Sequence, residues 1–368
     1  MSNYYGDHVI FDAHVHPGGG VGLEGFLKTA QDFMNDVQVK GVNLLCINTN
    51  RINLIGVDLL ALALKVKDPR FTVYGSFGYW MNTIAYDGPG LRKQLENLIA
   101  VGFDGLKMIE GKPTVRSAIN IALDDPRYDP AFDVLEKTGF HILNHVNDPE
   151  EFWVKETCPA WANGGKGGYW DSKKFLSKEA HYRENENILA RHPNMNVTFA
   201  HAYFLSNFPD RMTALLDRYP KVTIDLCPGI EMYDGFTKQY KRWREIFVAY
   251  QDRFLFGTDN VIRPGASDTV THDGSSRYKI ENVARFITTS DEFEAWGYKL
   301  KGFGLPADIS KKILCDNYLR LRGPAKPLNR DAAIAYAESI HAEIKDRGDI
   351  ADAQKRDVSE AMAFFKTL

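Results

Sequence analysis

The chain has 368 residues, 44% hydrophobic and 25% charged, a balance that belongs to a folded, enzyme-sized protein and excludes disorder, collagen and coiled-coil rods. With 45 Lys and Arg against 48 Asp and Glu the formal charge is -3, so there is no global basic field to hold nucleic acid or an anionic membrane surface. No apolar run approaches the roughly 18 residues needed to cross a bilayer. The start MSNYYGDH lacks a secretory pattern, and the scattered cysteines Cys46, Cys158, Cys227 and Cys315 form no CxxC pair, so a cytoplasmic location with reduced thiols is expected.

Taken in order, the segments HVIFDAH, VNLLCIN, FTVYGSF, FDGLKMI, FHILNH, NVTFAH, VTIDLC and FLFGTD are short β-branched or aromatic runs, with onsets near Val9, Val42, Thr72, Gly105, His141, Val197, Val222 and Phe254. Most are continuously apolar rather than alternating, as in parallel strands buried on both faces. Amphipathic stretches lie between them, among them Glu24 to Val39, Leu91 to Val101, Pro130 to Lys137, Arg211 to Tyr219 and Lys238 to Tyr250. Strand then helix, repeated eight times, predicts an α/β protein, a (β/α)8 TIM barrel over residues 1–322. A helix from Pro306 to Arg322 follows the last strand, and residues 323–368 read as a helical extension packed on the outside of the barrel. Two insertions fall on the face where such barrels place their active sites. One follows strand five and contains Trp153, Trp161, Asn163 to Gly168 and Trp170; the other, Val261 to Tyr278, follows strand eight.

Polar residues gather at the strand ends. His14 and His16 close the first strand, and residues two apart in an extended segment point to one face. His145 ends the fifth strand, His201 the sixth and Asp259 the eighth. A single strand histidine is ordinarily a hydrogen-bonded core residue. Several imidazoles and a carboxylate converging on one rim without a cation would instead leave groups unsatisfied, at about 1–3 kcal/mol each. Nitrogen and oxygen donors of this kind suit zinc, and also manganese or iron(II).

The ordered set, Asp12-Ala-His-Val-His-Pro, then His145 and His201, then Phe256-Gly-Thr-Asp-Asn, resembles the amidohydrolase superfamily. It spans residues 8 to 320, including Ile313-Leu-Cys-Asp-Asn-Tyr, and is most similar to the amidohydrolase-related branch, also called amidohydrolase 2. The resemblance implies that His14, His16, His145 and Asp259 bind one divalent metal, zinc above all. It also implies that His201 positions or deprotonates the attacking water, with Asp259 sharing in proton transfer. Binuclear members carry a carbamylated lysine on strand four, for which Lys107 is the possible counterpart. The expected activity is metal-dependent hydrolysis of a small amide, ester, lactone or related bond. The alternatives are a nonoxidative decarboxylase of the aminocarboxymuconate-semialdehyde decarboxylase type and a barrel that binds metal without catalysis.

Arg51, Lys112, Arg116 and Arg263 follow strands two, four and eight, so cations could ring the mouth or form a solvated rim; two or more facing inward would favour a carboxylate-bearing substrate. Lys107 could pair with such a substrate. Tyr79, Trp80, Trp161 and Trp170 could wall an organic ring. The expected partner is a small molecule, neither nucleic acid nor membrane, with homo-oligomerisation left open. His141, four residues before His145, reads as core, and the glycines of Gly164-Gly-Lys-Gly-Gly do not form a phosphate loop.

Overall fold

The computed structural model describes residues 8–48, 54–78, 87–158, 170, 173–229, 231–263 and 276–368. Its main sheet is formed by β1 (Phe11–Pro17), β2 (Gly41–Leu45), β3 (Phe71–Gly75), β4 (Gly105–Gly111), β5 (His141–Val146), β6 (Val197–Phe199), β7 (Val222–Asp225), β8 (Phe254–Leu255) and β9 (Asn260–Ile262). The strand order is β8-β7-β6-β5-β4-β3-β2-β1-β9, and every pairing in it is parallel. The eighth strand of the barrel is thus split into β8 and β9. The first strand meets it across the break, where Ala13 N–H donates to Phe256 O at 3.0 Å and Asp259 N–H to His14 O at 2.8 Å. The architecture is the α/β barrel expected from the repeated apolar runs.

Those runs are buried along their whole length in β2 and β3, because helices cover the outer face and side chains fill the interior. Helix α1 (Gly22–Val37) buries Phe26, Ala30, Phe33, Met34 and Val37, the spacing of one helical face. Helix α2 (Val57–Lys67) buries every residue from Val57 to Leu64. A helix buried on all sides needs cover on all sides: the sheet and α1 lie on part of it, the C-terminal helix Asp352–Thr367 packs on it, and Tyr336 of the helix Arg330–Ile344 donates to its one buried acid, Asp58, at 2.6 Å.

This C-terminal pair does more than pack on the outside. Before the first of its helices, Lys326 N–H donates to Asp104 Oδ1 at 2.8 Å and Asn329 N–H to Val101 O at 3.0 Å, beside the start of β4. The second helix reaches the loops that follow β1 and β2. Asp357 accepts from Gly20 N–H and, at 2.8 Å, from Gly22 N–H. Glu360 accepts from Leu23 N–H at 2.7 Å and Gln354 from Ile55 N–H at 2.8 Å. Two carboxylates therefore serve the free N–H groups at the amino end of α1.

The expected helix Lys238 to Tyr250 is found as Tyr240–Ala249, and a further helix, Met232–Lys238, precedes it across Gln239. An antiparallel hairpin, β10 (Glu292–Ala295) with β11 (Tyr298–Lys301), lies outside the barrel pattern. Its two-residue turn is Trp296-Gly297, with φ of 53° and 81°, the left-handed pair that such tight hairpins require. All four cysteines are free and buried, and among the described residues no helix is long and apolar enough to cross a membrane.

Candidate metal centre and substrate cavity

Alternation along β1 turns His14 and His16 to one side, and the split of the eighth strand turns Asp259 toward them on a left-handed backbone, φ 56°. His14 Nε2 and His16 Nε2 lie 3.2 Å apart. Asp259 Oδ1 lies 3.6 Å from the first and 3.2 Å from the second. The other ring nitrogens are taken: His14 Nδ1 meets Asp225 Oδ2 at 2.7 Å, and His16 Nδ1 donates to Leu45 O at 2.8 Å. That assignment leaves both Nε2 lone pairs bare, aimed at each other and at a carboxylate. Such an arrangement repels itself unless a cation stands between. Two nitrogens on one tetrahedral zinc are about 3.3 Å apart, so this donor set fits a divalent ion. Acceptors behind metal-binding imidazoles are the usual means of fixing their tautomer.

The electrostatics agree. Burial, with Lys107 nearby, pushes the His14 imidazole down to about 4 in spite of Asp225, so the ring is neutral and available as a ligand. Burial would raise the Asp225 carboxyl, but His14 and His201 hold it at about 2. Asp259 stays well below the usual carboxylate range because His16, His14 and His201 outweigh its burial.

His201 opens a left-handed turn, His201–Phe204, with φ of 56°, 50°, 55° and 50°. Four such residues in succession cost roughly 1–2 kcal/mol each, strain of a kind that collects at functional sites. The turn puts both His201 and Phe204 on the wall of one cavity. His201 Nδ1 faces Cys227 O at 3.3 Å and Cys227 Sγ at 3.2 Å. Burial, then His145, keep this imidazole well below its ordinary pKa.

The structure does not bring His145 into the cluster of His14, His16 and Asp259. Its Nε2 meets Asn147 O at 3.0 Å, and its ring centroid lies 4.8 Å from that of His201. It borders the same cavity. Lys107, 1% exposed, keeps its Nζ inside the barrel with no hydrogen-bond partner; burial lowers its pKa while Asp225, Cys227 and Asp259 oppose that. His141 is the core residue expected, bonded to Tyr74 Oη at 2.5 Å and Thr198 Oγ1 at 2.7 Å.

The cavity measures about 350 Å³. Trp170 lines it, as the insertion after strand five suggested, whereas Arg51, Tyr79, Trp80, Trp161 and the segment 163–168 lie outside the described residues. The expected ring of cations is not found among the described residues. Arg263 is exposed and away from the lining, and Arg116 is bound to Glu184 at 2.9 Å. Lys112 lines the cavity but is paired with Asp148 at 2.8 Å. The lining includes Asp148, Glu151, Glu231 and Asp259 against that one ammonium, so it is acidic where the sequence suggested basic. Sequence reasoning also passed over the roles of Asp225, which ends β7, and Cys227 just beyond it; the only signal for Asp225 is an acid closing an apolar run, VTID.

Fold and site together define a class: a (β/α)8 barrel with a His-His-Asp cluster at the carboxyl ends of strands one and eight. The amidohydrolase model Amidohydro_2 matches residues 77–321, and the chain belongs to that family. No curated protein matches the sequence significantly. Among solved structures, an uncharacterised TIM-barrel protein from Bordetella bronchiseptica is 16% identical with a TM-score of 0.53, over 85% of this chain and 97% of the other. IDCase from Metarhizium anisopliae is 14% identical with a TM-score of 0.52, over 87% and 98%. A 2,6-dihydroxybenzoate decarboxylase is 14% identical with a TM-score of 0.51, over 86% and 99%. These likenesses concern the fold.

Proposed function

We propose that this protein is a metal-dependent hydrolase that adds water across an amide, ester, lactone or related bond of a small organic substrate. The observation that carries the metal-dependent part is the pair of bare Nε2 atoms 3.2 Å apart, facing Asp259 and fixed from behind by Asp225 and Leu45. His14, His16 and Asp259 would hold one divalent ion, with zinc the best match to the donors. His145 would complete the set through the ring nitrogen not bonded to Asn147. When bound, such an ion polarises the substrate oxygen and brings the pKa of a water down to about 7. His201, kept neutral by burial, accepts the proton of the attacking water at Nε2, since its Nδ1 is turned to Cys227 O. The protonated His201 then returns that proton to the leaving group, while Asp259, held ionised, would stay with the ion.

Decarboxylation of a small acid is the second reading, and the decarboxylase among the structural neighbours is its warrant at the level of fold. Hydrolysis is preferred because Lys112, the ammonium in the lining, is already spent on Asp148, which leaves little to seat an anionic acid. A carboxylate-bearing substrate, expected from sequence, therefore finds no unpaired ammonium among the described residues of the lining.

Mass spectrometry on the metal-replete protein with a panel of amides, esters, lactones and aromatic acids separates the readings. Uptake of water is expected, and release of carbon dioxide would reverse the preference. His201→Ala should keep most of its metal while losing turnover by about 100-fold to 10,000-fold. Asp259→Ala should lose metal and turnover together. A His201→Ala protein that arrives empty would move that histidine into the ligand set.

A further inference from the structure

One wall of the cavity is assembled from elements that take no part in holding the metal. Glu151 comes from the short helix Glu150–Trp153 after β5, Glu231 from the loop after β7, and Tyr298 from the β10–β11 hairpin. Trp170, 3% exposed, comes from the long insertion. Three polar atoms of lining residues are buried without a hydrogen-bond partner: Glu151 Oε2, Asp148 Oδ2 and Trp170 Nε1. Each such atom costs about 1–3 kcal/mol until something satisfies it. Two of the three are carboxylate oxygens, so most of what is missing is donors.

We infer that the wall of Glu151, Glu231, Trp170 and Tyr298 is a subsite for a protonated amine, so that the substrate carries an ammonium group on the arm away from the bond that is cut. The subsite stands without the hydrolase reading, on which only the position of the bond that is cut rests.

An ammonium offers three donors and no acceptor, which suits Glu151, whose Oε2 has no partner, and Glu231, close enough to feel its charge. Phe152, Trp170, Phe204 and Tyr298 border the same space, and aromatic faces attract cations. Trp170 Nε1 asks for one acceptor in addition, which an oxygen on the same arm of the substrate would supply. The charged groups around the wall are few. Lys112 is neutralised by Asp148. Lys178 is outside the lining, with its Nζ 3.4 Å from Phe204 O; its charge acts on Glu231 and Glu151 and lowers the Glu231 pKa, but by less than burial raises it. Among the described residues of the lining an anion would thus meet only an ammonium already paired, and an alcohol would bring a single donor. Burial, together with Glu151, pushes the Glu231 carboxyl up to about 8, so at neutral pH the empty wall holds a proton that an arriving cation displaces.

Phenethylammonium, 3-phenylpropionate and 3-phenylpropan-1-ol present the same ring with a cation, an anion or a hydroxyl. Titrated calorimetrically into metal-replete protein, the amine is expected to bind about tenfold more tightly than either partner. It should release a proton near neutrality and gain affinity between about pH 6 and pH 8, as Glu231 yields its proton. Glu151→Gln and Glu231→Gln, which keep the shape of each side chain, should each shrink the preference for the amine, and together bring it to within about twofold. The inference is overturned if the acid or the alcohol binds as well as the amine, or if the amine fails to bind at about 10 mM. It is equally overturned if the amine's advantage survives both substitutions, since the amine would then be held at the metal end. Amine selectivity without water addition on the substrate panel would sink the hydrolase reading and spare the subsite; the reverse result would do the opposite.

Discussion

At the metal end, His14 and His16 each give one ring nitrogen to a fixed acceptor, Asp225 Oδ2 at 2.7 Å and Leu45 O at 2.8 Å. Along the wall of Glu151 and Glu231, buried polar atoms of Glu151, Asp148 and Trp170 meet no partner at all. The first set rides on strands, where ladder hydrogen bonds and alternation fix each side chain. The second rides on a short helix, a loop and a long insertion. Groups that are already satisfied keep their geometry whatever enters, whereas unsatisfied groups define what should enter. One end of the cavity is thus prepared for chemistry and the other for selection, and the two can be broken separately.

The largest effect should follow from removing the bare nitrogens. His14→Ala combined with His16→Ala deletes both Nε2 donors, and elemental analysis should find the metal content reduced to background, with turnover lost as well. Equal metal content in variant and wild type would dissolve the distinction between the two ends. A wild-type stoichiometry near two, in place of the expected one, would recruit Lys107, whose Nζ lies buried and without a hydrogen-bond partner.

A smaller effect tests whether the backing of the ligands matters. Asp225→Asn keeps the size of the side chain and removes the charge that orients His14, so metal affinity should fall about 10-fold to 100-fold, the usual result of losing an outer partner of a ligand. Competition against a chromophoric chelator measures it. Glu231→Gln in the same assay should leave metal affinity within about twofold of the wild type. If both variants lost metal alike, the two ends would be one coupled network.

The sequence makes the metal end readable because its grammar is local. A run such as FDAHVHP declares a buried strand by its apolar residues and a site by the polar residues at its end, and the same logic finds Asp259 and separates His145 from the core His141. Asp225 escapes that logic, since its partner His14 lies 211 positions away and an acid at the end of VTID has no periodic signal. The wall of Glu151, Glu231 and Tyr298 escapes it more completely. These residues come from separate connections, and connection geometry depends on turn conformation rather than hydrophobic period. The left-handed turn His201–Phe204 is a case in point, because HAYF contains none of the Gly or Asn residues that announce positive φ. Overcounting cations had the same origin. Sequence position put Lys112 and Arg116 at the mouth, but their partners Asp148 and Glu184 lie on other elements.

The smallest effect concerns how far the support of the metal end extends. Asp357, 1% exposed on the last helix, accepts from the amides of Gly20, in the loop that leaves β1 just after His16 and Pro17, and of Gly22, where that loop enters α1. Gly20 and Gly22 have φ of 84° and 74°, a conformation natural to glycine alone, so the loop is shaped to present those N–H groups. If the ligands are held by β1 itself and by Asp225 and Leu45, the loop beyond them can loosen without releasing the ion. Asp357→Asn can offer only one carbonyl oxygen to the two amides and brings an amide donor against backbone donors, so it should lower stability by about 1–2 kcal/mol. Chemical denaturation of the metal-loaded protein reads that loss, and the chelator assay should show metal affinity unchanged within about twofold. Glu360 and Gln354, which accept from Leu23 and Ile55, keep the helix docked in the variant, so the measurement reports one anchor rather than the whole C-terminal pair. A large fall in metal affinity from this single change would mean that the strand does not hold the ligands by itself. The boundary of the metal end would then run through the C-terminal helix.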